Sequence, residues 1–232
     1  LDKYIGDAIV AMFGAPILMP DHAYRACRAA HLIQLRQAEL RAKWLEEGNK
    51  WPEDASYMLT RVGVNTGLAT VGNMGSSVRF NYTMMGDTVN LAARCESAAK
   101  IYGVYTMVTE ETKTEAEKSS DQCVFRMLDR ILVKGRTHPV AVYEVAGFKE
   151  DMTQLSYDCI DYYQKALECY FHQDWLGGLR WLAKSTALEA LQPGAMPSIY
   201  TNPSLVLVER CNYFRKHGAG LNWDGVFVMA EK

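Results

Sequence analysis

Over residues 80–85 apolar and polar positions alternate with a period of two: Phe80, Tyr82 and Met84 fall on one side, and Asn81, Thr83 and Met85 on the other. This predicts a strand with Thr83 near its carboxyl end. The period then changes. Leu91, Cys95, Ala98 and Tyr102 recur at i, i+4, i+7 and i+11, the buried stripe of an amphipathic helix that Asp87 or Thr88 can cap and Gly103 can end. Upstream, residues 1–4 and 8–13 read as two strands around an Ile5-Gly6-Asp7 turn. Asp21 caps a predicted helix whose Ala26, Ala30, Ile33, Gln37, Leu40 and Trp44 form one face. Residues 46–56 read as a loop and 59–66 as a strand. The run Gly72-Asn73-Met74-Gly75 reads as a flexible turn, too short for a phosphate loop. Beyond the central helix come a strand at 104–109, a charged helix at 110–118, and a hairpin of 125–134 with 140–145. Strands and helices alternate without a long parallel βαβ series, which suits an α/β (α+β) sandwich of the ferredoxin-like, palm type.

From about residue 151 the pattern becomes helical. Tyr163, Ala166, Leu167 and Tyr170 make one apolar stripe, and Trp175, Leu179, Leu182 and Ala183 a second after a short link. The spacing looks like a single tetratricopeptide-type helical pair, followed by a short helix at 205–216. One such pair cannot bury its own faces, so it is expected to dock on the preceding domain or on a partner. The chain thus divides into a mixed domain over residues 1–147 and a small all-helical extension over 151–232.

With 49% hydrophobic and 22% charged residues in 232, the composition is that of an ordinary globular protein. A formal net charge of −2 and the lack of any concentrated basic stretch argue against nucleic acid as a partner and against a polybasic membrane patch. Cys27, Cys95, Cys123, Cys159, Cys169 and Cys211 form no C-x-x-C pair and several sit on apolar helix faces. Buried, reduced thiols are therefore expected, and a zinc site is not. No run reaches the length of a transmembrane span. The chain opens on Leu1, within an expected strand, and reads as a piece of a longer polypeptide whose upstream part could carry an anchor.

The candidate chemistry gathers around the central helix. Asn90 and Arg94 lie one turn apart near its start, where an amide and a guanidinium suit an anionic or oxygen-rich ligand, although spacing alone favours a solvated arginine beside an asparagine. Asp7 beside Gly6 is by itself an ordinary turn residue, and Lys134 an ordinary surface lysine.

Two motifs change that reading. G-D-T-V-N-x-A-x-R over residues 86–94, preceded by K-x-I-G-D-x-x-x-A-x-F-G over 3–14, resembles the class III nucleotidyl cyclases. The similarity extends to about residue 147 and includes the V-K-G at 133–135. It implies conversion of ATP to cyclic AMP and pyrophosphate with two divalent cations, Mg²⁺ or Mn²⁺, at sites shared across a homodimer, so that a monomer is inactive. The resemblance assigns Asp7 to the metal, Lys3 and Thr83 to adenine, Asn90 to the ribose, Arg94 to the transition state and Lys134 to the phosphates, a role Arg136 could share. The family's first metal aspartate belongs to a D-I-x-x-F-T motif on an earlier strand. That motif is absent, so only half the metal site and little activity are expected of this polypeptide, whereas a version extended upstream is expected to be active. A cytoplasmic setting is implied, with any tether to the inner membrane face upstream. Two alternatives stand: a catalytically silent cyclase-like dimerisation module, and a guanylate cyclase, which Lys3 argues against. The extension resembles segments found after bacterial cyclase domains.

Overall fold

The computed structural model describes residues 1–132, 138–193, 201–220 and 223–228. In chain order its elements are β1 (Lys3–Ile5), β2 (Ala8–Val10), α1 (His22–Glu47), β3 (Val62–Val64), β4 (Thr70–Gly75), β5 (Phe80–Met85), α2 (Asp87–Tyr102), β6 (Thr106–Thr109), α3 (Glu110–Ser119), β7 (Cys123–Leu132), β8 (Val140–Phe148), α4 (Gln154–Phe171), α5 (Trp175–Thr186), α6 (Pro203–His217) and β9 (Phe227–Val228). The central sheet is mixed, in the order β3-β6-β8-β7-β9, while β1-β2 and β4-β5 form separate two-stranded ribbons.

Strand alternation sorts the core into two layers. Met107 on β6, with Leu128, Ile131 and Val142, packs against the Leu91, Cys95, Ala98 and Tyr102 stripe of α2. The next residue, Val108, faces the other way, into a cluster with Ala23 and Cys27 of α1 and Ala116 of α3. At Gly63 a Cβ would lie 2.1 Å from the Ala92 carbonyl oxygen and 2.3 Å from the Glu96 nitrogen. The α2 backbone therefore rests directly on β3, and only glycine permits that approach. Gly103 ends α2 in the left-handed conformation, as its position after the stripe predicts.

Several local expectations need correction. The predicted 59–66 strand shortens to Val62–Val64, and the turn of the first hairpin is Gly6-Asp7 alone. Residues 46–56 are occupied by the end of α1 and two 3-10 turns. Asp21 stands at the α1 N-cap position but makes no capping bond, because its carboxylate is taken by Arg25 Nε at 2.8 Å. Neither Asp87 nor Thr88 caps α2; Gly86 fills that place, and the Thr88 hydroxyl donates instead to the Leu68 carbonyl at 2.7 Å. Residues 72–75 are strand, not turn, since their backbone pairs with β5 from Thr70↔Met85 to Gly75↔Phe80. Ile33 is 45% exposed because the buried residues of α1 run only from Ala23 to His31, and the rest of this long helix outruns the sheet. Ala183 is exposed as well, where Gly178, Leu182 and Ser185 are the buried face of α5.

The extension docks, as its apolar stripes require. Tyr163, Ala166, Leu167 and Tyr170 of α4, Leu182 of α5, and Leu207 and Cys211 of α6 form a third core. It is not wholly helical, because β9 pairs in parallel with β7 at Ile131↔Phe227 and Leu132↔Val228, joining the tail to the central sheet. Two buried charge networks bolt it down. Arg126 of β7 bonds Glu144 of β8 and Glu189 beyond α5, and Arg210 of α6 bonds Asp129 of β7 and, at 3.1 Å, the Tyr102 hydroxyl at the end of α2. Burial pushes Asp129 above the ordinary carboxylate range, against the opposing pull of Arg210.

Trp175 sits in an aromatic cluster, its ring centroid 5.3 Å from Phe214, 5.3 Å from Trp223 and 5.6 Å from Tyr170. Trp175→Ala is expected to cost about 3 kcal/mol, the low end for loss of a large ring because this one is only partly buried. Thermal denaturation checks it, and an unchanged midpoint would mean that the helical pair is loosely tethered.

Candidate active site

The strand–turn–helix over residues 80–102 positions three of the six candidate residues, Thr83, Asn90 and Arg94. Thr83 is 7% exposed on β5, and it is the one buried side chain of that strand. The start of α2 is fixed by hydrogen bonds from the segment after β3. The Asn65 amide donates to the Thr88 carbonyl at 2.9 Å, while its oxygen accepts from the Thr109 hydroxyl at 2.7 Å. Asn90 is exposed on the first turns of α2, and Arg94 lies one turn on, half-buried. The Arg94 Nη1 is buried without a hydrogen-bond partner. A buried guanidinium nitrogen without a partner is a donor awaiting an acceptor, and an anionic group is the acceptor best suited to it.

Lys3 and Thr83, eighty residues apart, meet through a residue that the sequence did not single out. Asp2 Oδ2 accepts the Thr83 hydroxyl at 2.8 Å and lies 3.5 Å from the Lys3 Nζ. The Asp2 side chain is 1% exposed, and its second oxygen, Oδ1, is buried without a partner. The only signal for it in the sequence was a carboxylate directly before the lysine.

Asp7 is exposed at the tip of the β1-β2 hairpin. Its hard carboxylate oxygens fit Mg²⁺ or Mn²⁺. Among the described residues, however, no three His, Cys, Asp or Glu side chains gather to hold an ion, so Asp7 supplies a partial ligand set. Lys134 and Arg136 lie outside the described residues. All six cysteines are free, five of them buried.

The ribbons present unusual surface. Tyr4, Ile5 and Ile9 on β1-β2, and Phe80, Tyr82 and Met85 on β5, are all exposed, Phe80 at 62%. No helix of the described residues is long and apolar enough to cross a membrane.

A family model described as the adenylate and guanylate cyclase catalytic domain matches residues 3–147. The terminal-differentiation-specific adenylate cyclase of Dictyostelium discoideum is 31% identical over 212 residues, which cover 91% of this chain and 9% of that protein. Adenylate cyclase 1 of Rhizobium meliloti (strain 1021) is 35% identical over 145 residues, 62% of this chain and 20% of that protein. Among solved structures, the adenylyl cyclase CyaB from P. aeruginosa superposes with a TM-score of 0.54 at 30% identity, over 66% of this chain and 74% of that one. The chain spans a fifth or less of the two curated relatives. The Dictyostelium match is too long to lie within residues 3–147 and runs on into the helical extension.

Proposed function

This chain belongs to the adenylate and guanylate cyclase catalytic-domain family, and from that premise we propose that it is the catalytic part of an adenylate cyclase, forming cyclic AMP and pyrophosphate from ATP. The observation that carries the adenine assignment is the Lys3–Asp2–Thr83 cluster, which brings together a donor and an oxygen acceptor from opposite parts of the chain. An ammonium can donate to N1 of adenine but cannot accept from the N1–H of guanine.

Cyclisation requires the ribose 3′ oxygen to attack the α-phosphorus in line, with negative charge developing on phosphate oxygens. Asn90 holds the ribose by its amide. Arg94, one turn further, donates to the α-phosphate as charge accumulates, and its unpaired Nη1 is free to do so without first breaking a bond. Lys134 holds the outgoing phosphates. Asp7 is the residue that would hold a divalent cation, and such an ion supplies charge neutralisation and a more acidic 3′ hydroxyl.

The family acts as dimers on nucleotide substrates. For this chain the exposed apolar faces of the two ribbons support a homodimer, since side chains such as Tyr4 and Phe80 gain by leaving water. In the proposed arrangement Asp7 of one copy serves the nucleotide held by Lys3, Thr83, Asn90 and Arg94 of the other.

The test is to assay the full-length protein with ATP and GTP in Mn²⁺. Cyclic AMP as the main product is expected. Preferential cyclic GMP formation would make it a guanylate cyclase, and dimers with neither product a silent module.

A further inference from the structure

The adenine-reading cluster contains a carboxylate whose geometry assigns it a task. We infer that Asp2 is a positioning residue for base selection: by accepting the Thr83 proton it leaves the Thr83 oxygen able only to accept, and so sets the pocket against guanine. This rests on the adenylate cyclase reading above.

A threonine hydroxyl can donate one hydrogen bond and accept others, and alone it discriminates poorly between the amino group of adenine and the carbonyl oxygen of guanine. In this chain the choice is already made. The hydroxyl donates to Asp2 Oδ2 at 2.8 Å, so its lone pairs are what a base meets. The amino group at position 6 of adenine donates into them. The O6 of guanine, itself an acceptor, faces a second acceptor with no proton between, and a desolvated mismatch of that kind is costly.

The same oxygen lies 3.5 Å from Lys3 Nζ. Lys3 is 40% exposed, so this ion pair adds little stability. Its effect is to tether the ammonium to the same carboxylate oxygen that takes the Thr83 proton, so that donor and acceptor are held from one residue. A purely structural role explains Asp2 poorly. A buried carboxylate whose Oδ1 has no partner carries an unmet desolvation cost, whereas a neutral acceptor would serve a lone hydroxyl more cheaply. The charge matters because it fixes the direction of the Thr83 proton.

The experiment measures kcat/KM for ATP and for GTP in the full-length protein and in Asp2→Ala, Asp2→Asn, Thr83→Val and Asp2→Ala with Thr83→Val. The parent is expected to prefer ATP. Asp2→Ala should lower the ATP-to-GTP ratio about tenfold, chiefly by improving GTP, because the freed hydroxyl can now donate to O6. Asp2→Asn keeps the shape but can present either an oxygen or an amide hydrogen to Thr83, so it should give a smaller fall and guards against misfolding of the alanine variant. With Thr83→Val in place, Asp2→Ala should leave the ratio where Thr83→Val put it. A parent without ATP preference would refute the adenylate reading itself. A selective parent whose ratio survives both Asp2 substitutions would overturn the role of Asp2 alone, as would an equal fall in the valine background, which would show that Asp2 acts without Thr83.

Discussion

Arg126→Ala is expected to destabilise the protein by about 3–5 kcal/mol, more than any surface substitution, because it strips the counter-charge from two buried carboxylates at once. The guanidinium is 2% exposed; it meets Glu144 Oε2 at 2.5 Å through Nη2 and Glu189 Oε1 at 2.9 Å through Nη1. Glu189 Oε1 also accepts from the Ser204 nitrogen and hydroxyl at the start of α6, so the arginine ties the sheet to the extension through one shared oxygen. Burial favours the neutral form of Arg126, but the charges of Glu144 and Glu189 outweigh it, and its pKa stands above the ordinary value. For Glu144 burial raises the pKa, Arg126 lowers it and Glu189 raises it again. Without Arg126 only the raising influences remain. The folded variant then binds more protons than the unfolded chain between the ordinary glutamate value and the raised one, so its stability increases as pH falls through that window. Urea denaturation at neutral and mildly acidic pH measures this. A variant as stable as the parent at neutral pH, or one whose deficit grows on acidification, would show that the network is not the anchor of the extension.

That network was invisible in the sequence for a physical reason. By alternation Glu144 falls in line with the apolar Val142 and Ala146, and Arg126 and Glu189 are 63 residues apart, so only the pairing of β7 with β8 and the docking of the extension bring the three charges together. The α2 stripe, by contrast, was legible because Leu91, Cys95, Ala98 and Tyr102 are all buried on one face by a single layer of sheet. Thr83 is assigned by the resemblance to the cyclases, since alternation only groups it with Asn81 and the exposed Met85, and its partner is not assigned at all. Asp2 is buried by β5, distant in sequence, and no local pattern encodes that contact. The Gly72–Gly75 stretch misled because glycine gives alternation nothing to show, and β4 exists through backbone pairing with β5. In α1 the apolar repeat continued past the edge of the sheet, so periodicity overstated the length of the buried face. Of the six candidate site residues, Lys3 and Thr83 meet through Asp2, Asn90 and Arg94 share α2, Asp7 stands apart on a hairpin tip, and Lys134 lies outside the described residues.

Mixing two inactive variants is expected to restore activity, which only a shared site allows. Arg94→Ala should lower turnover by about 10²–10³-fold, the usual loss when a preorganised donor to transition-state charge is removed. Asp7→Ala should abolish turnover by deleting a metal ligand. The two residues occupy different units, Asp7 on the tip of a two-stranded ribbon and Arg94 on α2, which is fixed to the central sheet. The same ribbon holds Lys3 and, through Asp2, Thr83 of its own chain, and in the shared arrangement proposed above Asp7, four residues on, serves the nucleotide of a second copy. In a heterodimer of the variants, one site combines both substitutions and is dead. The other combines the Asp7 of the Arg94→Ala chain with the Arg94 of the Asp7→Ala chain and is intact. Random pairing at equal amounts makes half the dimers mixed, each with one working site of two, so the mixture should recover about one quarter of parental turnover. Variants of the full-length protein, mixed and assayed for cyclic AMP in Mn²⁺ after subunit exchange is verified with differently tagged chains, give the result directly. Heterodimers that form and remain inactive would place Asp7 and Arg94 of one copy at the same nucleotide and refute the shared arrangement.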